Sequence, residues 1–135
     1  MFIEKIQPRF SETNAAGHIG FVALPAWFEK GIESVYRMFV PNLAPQEWTL
    51  IVVKFELECL VEIHHTEEVT IETMVKSIGN SSFSLVQTLN QAGNLSARAG
   101  TTLVYFDYQE KKALPIPDDL RKKLVLHLFH EKKET

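Results

Sequence analysis

The chain has a single cysteine, Cys59, among its 135 residues. No internal disulfide can form, and in a strand-like run Cys59 reads as a small buried hydrophobe. No set of His, Cys, Asp and Glu has zinc-site spacing, so no metal is expected. An excess of charge of one sign is also lacking. Lys and Arg total 14 against 17 Asp and Glu, for a net charge of -3. Nothing there offers a basic field to a nucleic-acid backbone. The pairs and triplets Lys111, Lys112 and Arg121, Lys122, Lys123 read as solvated surface. No apolar run approaches the roughly 18 residues of a membrane span. The start, MFIEKIQPRF, alternates and carries charge, which argues against a signal peptide and for a cytoplasmic protein. There is no internal repeat and no low-complexity tract.

What the chain does have is 45% hydrophobic residues and a length that suits one domain, residues 1–135, with a sizeable core. It is organised around Arg9 to Phe39, a polar loop running into the most apolar helix candidate. From Val22 to Phe39, Leu24, Phe28, Ile32, Val35 and Phe39 recur at spacings of three and four. Trp27, Tyr36 and Met38 widen the stripe. A narrow polar strip of Glu29, Lys30, Glu33 and Arg37 remains. Such a helix is buried on most sides. Pro25 suits its first turn, and Pro41 ends it. Gly31 would cost an exposed helix about 1 kcal/mol, so on the buried face it reads as room for another backbone.

Around the helix the periodicity is that of strands. Phe2 to Arg9 alternates, with Pro8 marking an edge or an end. Pro41 to Glu47 is a loop. Trp48 to Val61 is strand-like, and its second half has one wet face of Lys54, Glu56 and Glu58. His64 to Glu67 is a polar turn. Val69 to Val75 alternates cleanly. GNSS (79–82) is a turn. Phe83 to Asn90 follows, with Phe83, Leu85, Gln87 and Leu89 on one side. QAGN (91–94) closes a hairpin into a long strand, Leu95 to Tyr108. Ala97, Ala99 and Gly100 leave space there for something packed closely. After Pro115 and Pro117, Asp118 can cap a last helix with Leu120, Leu124 and Leu128 on one face. His127, His130 and the terminal KKET read as frayed. The order β–α–β–β–β–β–α is α+β: a curved antiparallel sheet of about five strands wrapped around one long helix, with free edges for a second copy to cover.

Four stretches carry a family resemblance. RFSETNAAGHIG precedes an aromatic helix opening in WFE. KFELECLVEIHHTEEVTIET forms a strand, corner and strand. SIGNSSFSLVQTLNQAGNLSARAGTTLVYFD and ALPIPDDLRKKL complete the order. Together they resemble the hotdog-fold acyl-CoA thioesterases of the 4-hydroxybenzoyl-CoA thioesterase-like family. The resemblance implies a homodimer or homotetramer, with acyl-CoA entering along the subunit interface as the small-molecule substrate. Coenzyme A is then part of the substrate, and no separate cofactor is implied. It also implies thioester hydrolysis at the loop before the helix.

That chemistry needs an activated water or nucleophile and donors for an oxyanion. Free N–H groups at the helix start can polarise the carbonyl, and Gly17 and Gly20 allow close approach. Where the family has an aspartate this chain has Asn14, which can hold a water but cannot take its proton. Glu12, two residues away and on the same side of an extended loop, is one replacement base. His18 is another. Glu62, His64 or His65 of a second copy is a third. Ser81 and Ser82 fall where the resemblance places residues near the pantetheine or thioester. Lys76, Arg98 and Lys111 are open choices for a phosphate. Phe21 and Trp27 are expected to line the acyl pocket. A non-hydrolytic acyl thioester-binding protein that has lost its catalytic acid is the alternative reading.

Overall fold

The computed structural model describes residues 1–129. Its strands are β1 (Phe2–Ile6), β2 (Leu50–Cys59), β3 (Val69–Ile78), β4 (Ser82–Gln91), β5 (Asn94–Asp107) and the short β6 (Lys112–Ala113). Its helices are α1 (Leu24–Phe39) and α2 (Asp118–Val125). All pairings are antiparallel, and the sheet order is β1-β3-β4-β5-β2, with β6 paired to the end of β5. Each side chain that alternates inward faces α1. Val69, Ile71, Thr73 and Val75 do so from β3, and Phe83, Leu85, Gln87 and Leu89 from β4. Leu24, Trp27, Phe28, Ile32 and Val35 meet them from the helix. Two adjoining apolar clusters result, one at each end of α1.

A polar pin fixes the helix in the sheet. Thr73 Oγ1 donates to the Gly31 carbonyl at 3.0 Å. Gln87 Nε2 donates to the Phe28 carbonyl at 2.8 Å and to Thr73 Oγ1 at 2.9 Å. Gly31 therefore makes room for side chains of β3 and β4, not for another backbone as its place in the helix suggests. The β4–β5 hairpin closes on Ala92 and Gly93, both at positive φ (51° and 79°), as a primed turn requires.

Three local expectations are corrected. Asp118 is the first residue of α2, and Pro117 holds the cap position without a side-chain hydrogen bond. His127 is not frayed. Its carbonyl accepts from Val75 N–H at 2.8 Å, and its ring stacks on Phe2 with centroids 4.0 Å apart. His130 and the KKET end lie outside the described residues. Cys59 is exposed. It sits at the end of β2, which among the described residues pairs with β5 alone and forms an edge of the sheet, so one flank of the cysteine has no covering strand there.

Candidate active site

The loop before α1 is a tight hairpin rather than an extended segment. Phe10–Glu12 forms a 3₁₀ turn. Thr13 bridges Ile19, the Asn14 N–H donates to the His18 carbonyl at 2.8 Å, and the Gly17 N–H donates to the Asn14 carbonyl at 3.0 Å. Gly17 takes φ +85°, which a residue with a Cβ adopts at a cost. Asn14 Oδ1 accepts from the Ala16 N–H at 3.0 Å, an Asx turn. The side-chain oxygen of residue 14 thus shapes the loop. Its Nδ2 group remains available to donate.

Glu12 is bound on both oxygens. Oε1 accepts from the Arg9 N–H at 2.8 Å, and Oε2 accepts from Trp27 Nε1 at 2.9 Å. Trp27 is accordingly turned into the core, at 6% exposure, and does not line the cleft. The pair ties the loop to the helix. A carboxylate so occupied is poorly placed to take a proton from water, and the 3₁₀ turn undoes the extended spacing that would put it beside Asn14.

A cleft of about 270 Å³ opens between this loop and the segment in which β2 leaves the sheet. Asn14, His18, Phe21 and Leu24 line one side, and Cys59 to Ile63 with Ser96 line the other. The two sides are joined by the Ile19 N–H, which donates to the Ile63 carbonyl at 2.8 Å. His18 Nδ1 lies 3.2 Å from the Ile19 carbonyl oxygen. That oxygen can only accept, so Nδ1 carries the hydrogen and the neutral ring leaves Nε2 as an acceptor. A 3₁₀ turn, Phe21–Ala23, precedes α1. The Ala23 N–H donates to Gly20 at 3.1 Å. The Phe21 and Val22 N–H groups have no acceptor among the described residues. They are the donors at the positive end of the helix. Gly20 is buried just before them, with its Cα side toward Asn14.

The remaining candidates are dispersed. Glu62, expected from a second copy, lines the cleft of its own chain. His64 and His65 do not. Gln91 holds the His64 backbone at 2.9 Å and 2.7 Å, and the His65 ring packs edge-on to Phe10. Ser81 and Ser82 lie at the far end of the sheet, where Ser82 pairs with Val104. Val104 is eight steps along β5 from Ser96, roughly 26 Å at the rise of a strand. Arg98 is spent on Glu58, at 3.1 Å and 2.9 Å. Lys76 shares the outer face of the sheet with it, and Lys111 is in the turn before β6. Among the described residues, no group of three His, Cys, Asp or Glu could hold a metal ion, and no helix is long and apolar enough to cross a membrane.

A sheet curled around one long helix, with a short helix after it, is the hotdog fold. The chain belongs to the thioesterase-like superfamily, whose family model matches residues 8–124. It is similar to a predicted thioesterase from Bacillus stearothermophilus, at 31% identity over 97% of this chain and 98% of that one, with a TM-score of 0.94. A thioesterase from Thermus thermophilus complexed with coenzyme A and zinc is 18% identical over 91% and 96%, with a TM-score of 0.79. A 1,4-dihydroxy-2-naphthoyl-CoA thioesterase from Synechocystis is 20% identical over 92% and 95%, with a TM-score of 0.77. No protein of curated function matches the chain.

Proposed function

We propose that the protein hydrolyses acyl-CoA thioesters to a carboxylic acid and free coenzyme A, with His18 as the general base. The observation that carries this is the convergence on one cleft of a fixed imidazole, an amide donor and the free start of a long helix. The thioester carbonyl docks against the Phe21 and Val22 N–H groups, which stabilise the oxyanion as it forms. Asn14 Nδ2 orients a water or the carbonyl. His18 Nε2 takes the water's proton as the oxygen attacks, and returns it to the leaving thiolate. Gly17 and Gly20 act through the backbone path they permit, Glu12 through its hold on Trp27, and Phe21 as a wall of the cleft. Membership in a thioesterase superfamily and the coenzyme A bound by the Thermus relative support the substrate class.

The working unit in this reading is a homodimer, or a pair of dimers. The β2 edge is long and unpaired, and it carries exposed Val52, Val53 and Phe55 with Leu60 and Val61 just beyond. An unpaired edge of ten residues that exposes apolar side chains invites pairing with a copy of itself. Antiparallel pairing about the middle of β2 sets the Leu50 end of one strand beside the Cys59 end of the other. Leu50 pairs with Tyr105, whose N–H donates to the Ser81 carbonyl at 2.7 Å. Such a dimer therefore brings Ser81 and Ser82 toward the other copy's cleft, where a pantetheine arm would pass.

The test is thiol release from short, medium, long and aromatic acyl-CoA. Wild type is expected to turn over, and His18→Gln to lose about 10²-fold or more in kcat, while Glu62→Gln keeps most of it. No turnover of any thioester by wild type, with saturable thermal protection by the same compounds, would make it a binding protein without the catalytic acid.

A further inference from the structure

Beyond Cys59, residues 60–68 run to β3 with neither helix nor strand. Leu60 to Ile63 of this run form the far wall of the cleft, so the wall is held by bonds from elsewhere. Two anchors are backbone. The Ser96 carbonyl accepts from the Leu60 and Val61 N–H groups at 2.9 Å and 3.1 Å, and the Ile63 carbonyl accepts from the Ile19 N–H at 2.8 Å. The third anchor is the side chain of Gln91, the last residue of β4. It is 6% exposed and continues the inward row of Leu85, Gln87 and Leu89. Its Oε1 accepts from the His64 N–H at 2.9 Å. Its Nε2 donates to the His64 and Glu67 carbonyls at 2.7 Å and 2.9 Å. One acceptor and two donors are needed there, which an amide supplies and a carboxylate does not. Gln7 grips the same turn through the His65 carbonyl at 2.9 Å, but on the exposed side.

These bonds form a line that crosses to the loop. The Ile63 carbonyl and the His64 N–H belong to one planar peptide unit. Gln91 holds one edge of that unit and Ile19 the other. The His18 carbonyl and the Ile19 N–H share the next unit, and that carbonyl accepts from the Asn14 N–H at 2.8 Å. The unit after it carries the Ile19 carbonyl, 3.2 Å from His18 Nδ1, and the Gly20 N–H, which donates to the Glu12 carbonyl at 3.0 Å. A rigid plane passes a tilt from one edge to the other, and hydrogen bonds in series polarise one another. A displacement at Gln91 therefore arrives at the His18 ring and at Asn14.

We infer that Gln91 is a positioning residue: acting through the Ile63–His64 and His18–Ile19 peptide units, it fixes the His18 ring and Asn14 in the cleft. This rests on the hydrolase reading with His18 as base. Gln91 does not line the cleft itself, so its loss leaves the walls that hold the substrate. A misplacement of about 1 Å at the reacting groups can cost on the order of 10²-fold. The loss then falls on kcat and not on KM.

The experiment measures thiol release and the ring-nitrogen NMR signals of His18 in wild type, Gln91→Glu, Gln91→Asn and Gln7→Ala. Gln91→Glu keeps the size but sets a carboxylate oxygen against two carbonyls. Gln91→Asn keeps the amide and shortens its reach by a methylene. Each should lower kcat about tenfold or more with KM within about twofold. Gln7→Ala should stay within about twofold of wild type in both constants. The wild-type ring should show the Nδ1–H tautomer alone, and the Gln91 variants a mixture of tautomers. If Gln91→Glu does not fold, Gln91→Asn carries the test. A wild-type kcat in folded Gln91→Asn overturns the positioning role. So does a loss carried by KM, an unchanged ring, or failure of both variants to fold, which would mark Gln91 as structural. If wild type turns over no thioester, the ring signals decide. A mixture in the variants then sinks the hydrolase reading alone, and an unchanged ring sinks the positioning role as well.

Discussion

Gly31 has no room for a side chain. A Cβ there would stand 2.8 Å from Ile71 Cγ2 and 2.9 Å from Gln87 Nε2. Gln87 cannot simply swing aside, because it is held to both Phe28 and Thr73. Alanine would gain about 1 kcal/mol of helix propensity but overpack a tight contact, at about 1–3 kcal/mol, and disturb the pin. Gly31→Ala is therefore expected to lower stability by about 1–2 kcal/mol, read as a lower midpoint of urea unfolding. A rise in the midpoint would contradict the packing described. At this scale the sequence is legible where a residue's chemistry admits few settings. Gln87 can be placed on the buried side of its strand, and Asn14 can be recognised as unable to act as a base. Glu12 and Trp27 cannot be assigned. Their pairing spans fifteen positions, and nothing in either residue announces the other.

The elements are legible because their periods are strong. The five long strands and α1 fall within two or three residues of their expected places, and the Ala92–Gly93 turn is visible as a hairpin signal. Short elements are not. The 3₁₀ turns at Phe10–Glu12 and Phe21–Ala23 have no period to read. Strand order is also absent from a linear pattern. Periodicity alone therefore puts Cys59 inside, and Glu29 in the solvated strip where the structure also leaves it. The structure differs at Cys59 because β2 is the edge strand, beside a helix that does not fully cover it. The edge leads to a prediction of its own. Val53 is the extra residue of a bulge between Val52 and Lys54 and is 57% exposed. Antiparallel pairing would bring the two copies of it close to the twofold axis. Val53→Lys sets like charges against each other there. It should convert a dimer to a monomer in light scattering at micromolar concentration, with thiol release falling in parallel. A dimer that survives, or a fully active monomer, would refute the edge-paired unit.

On the scale of the whole molecule, the helix decides where chemistry can happen. Its start faces a cleft because Glu12 and Trp27 lock the preceding hairpin against it. The sheet supplies rigidity through the Thr73–Gln87 pin and leaves one edge open. The central claim is that the proton-accepting role, usually filled by an acid at position 14, rests on His18. Thiol release by the double variant Asn14→Asp/His18→Gln, set beside His18→Gln alone, tests this most directly. The Asx turn is open to an aspartate as well, since it uses only the side-chain oxygen, so the loop should keep its shape. The prediction is that His18→Gln is nearly inactive and that adding Asn14→Asp restores at least tenfold of the lost rate. A His18→Gln enzyme that works as well as wild type would contradict the assignment.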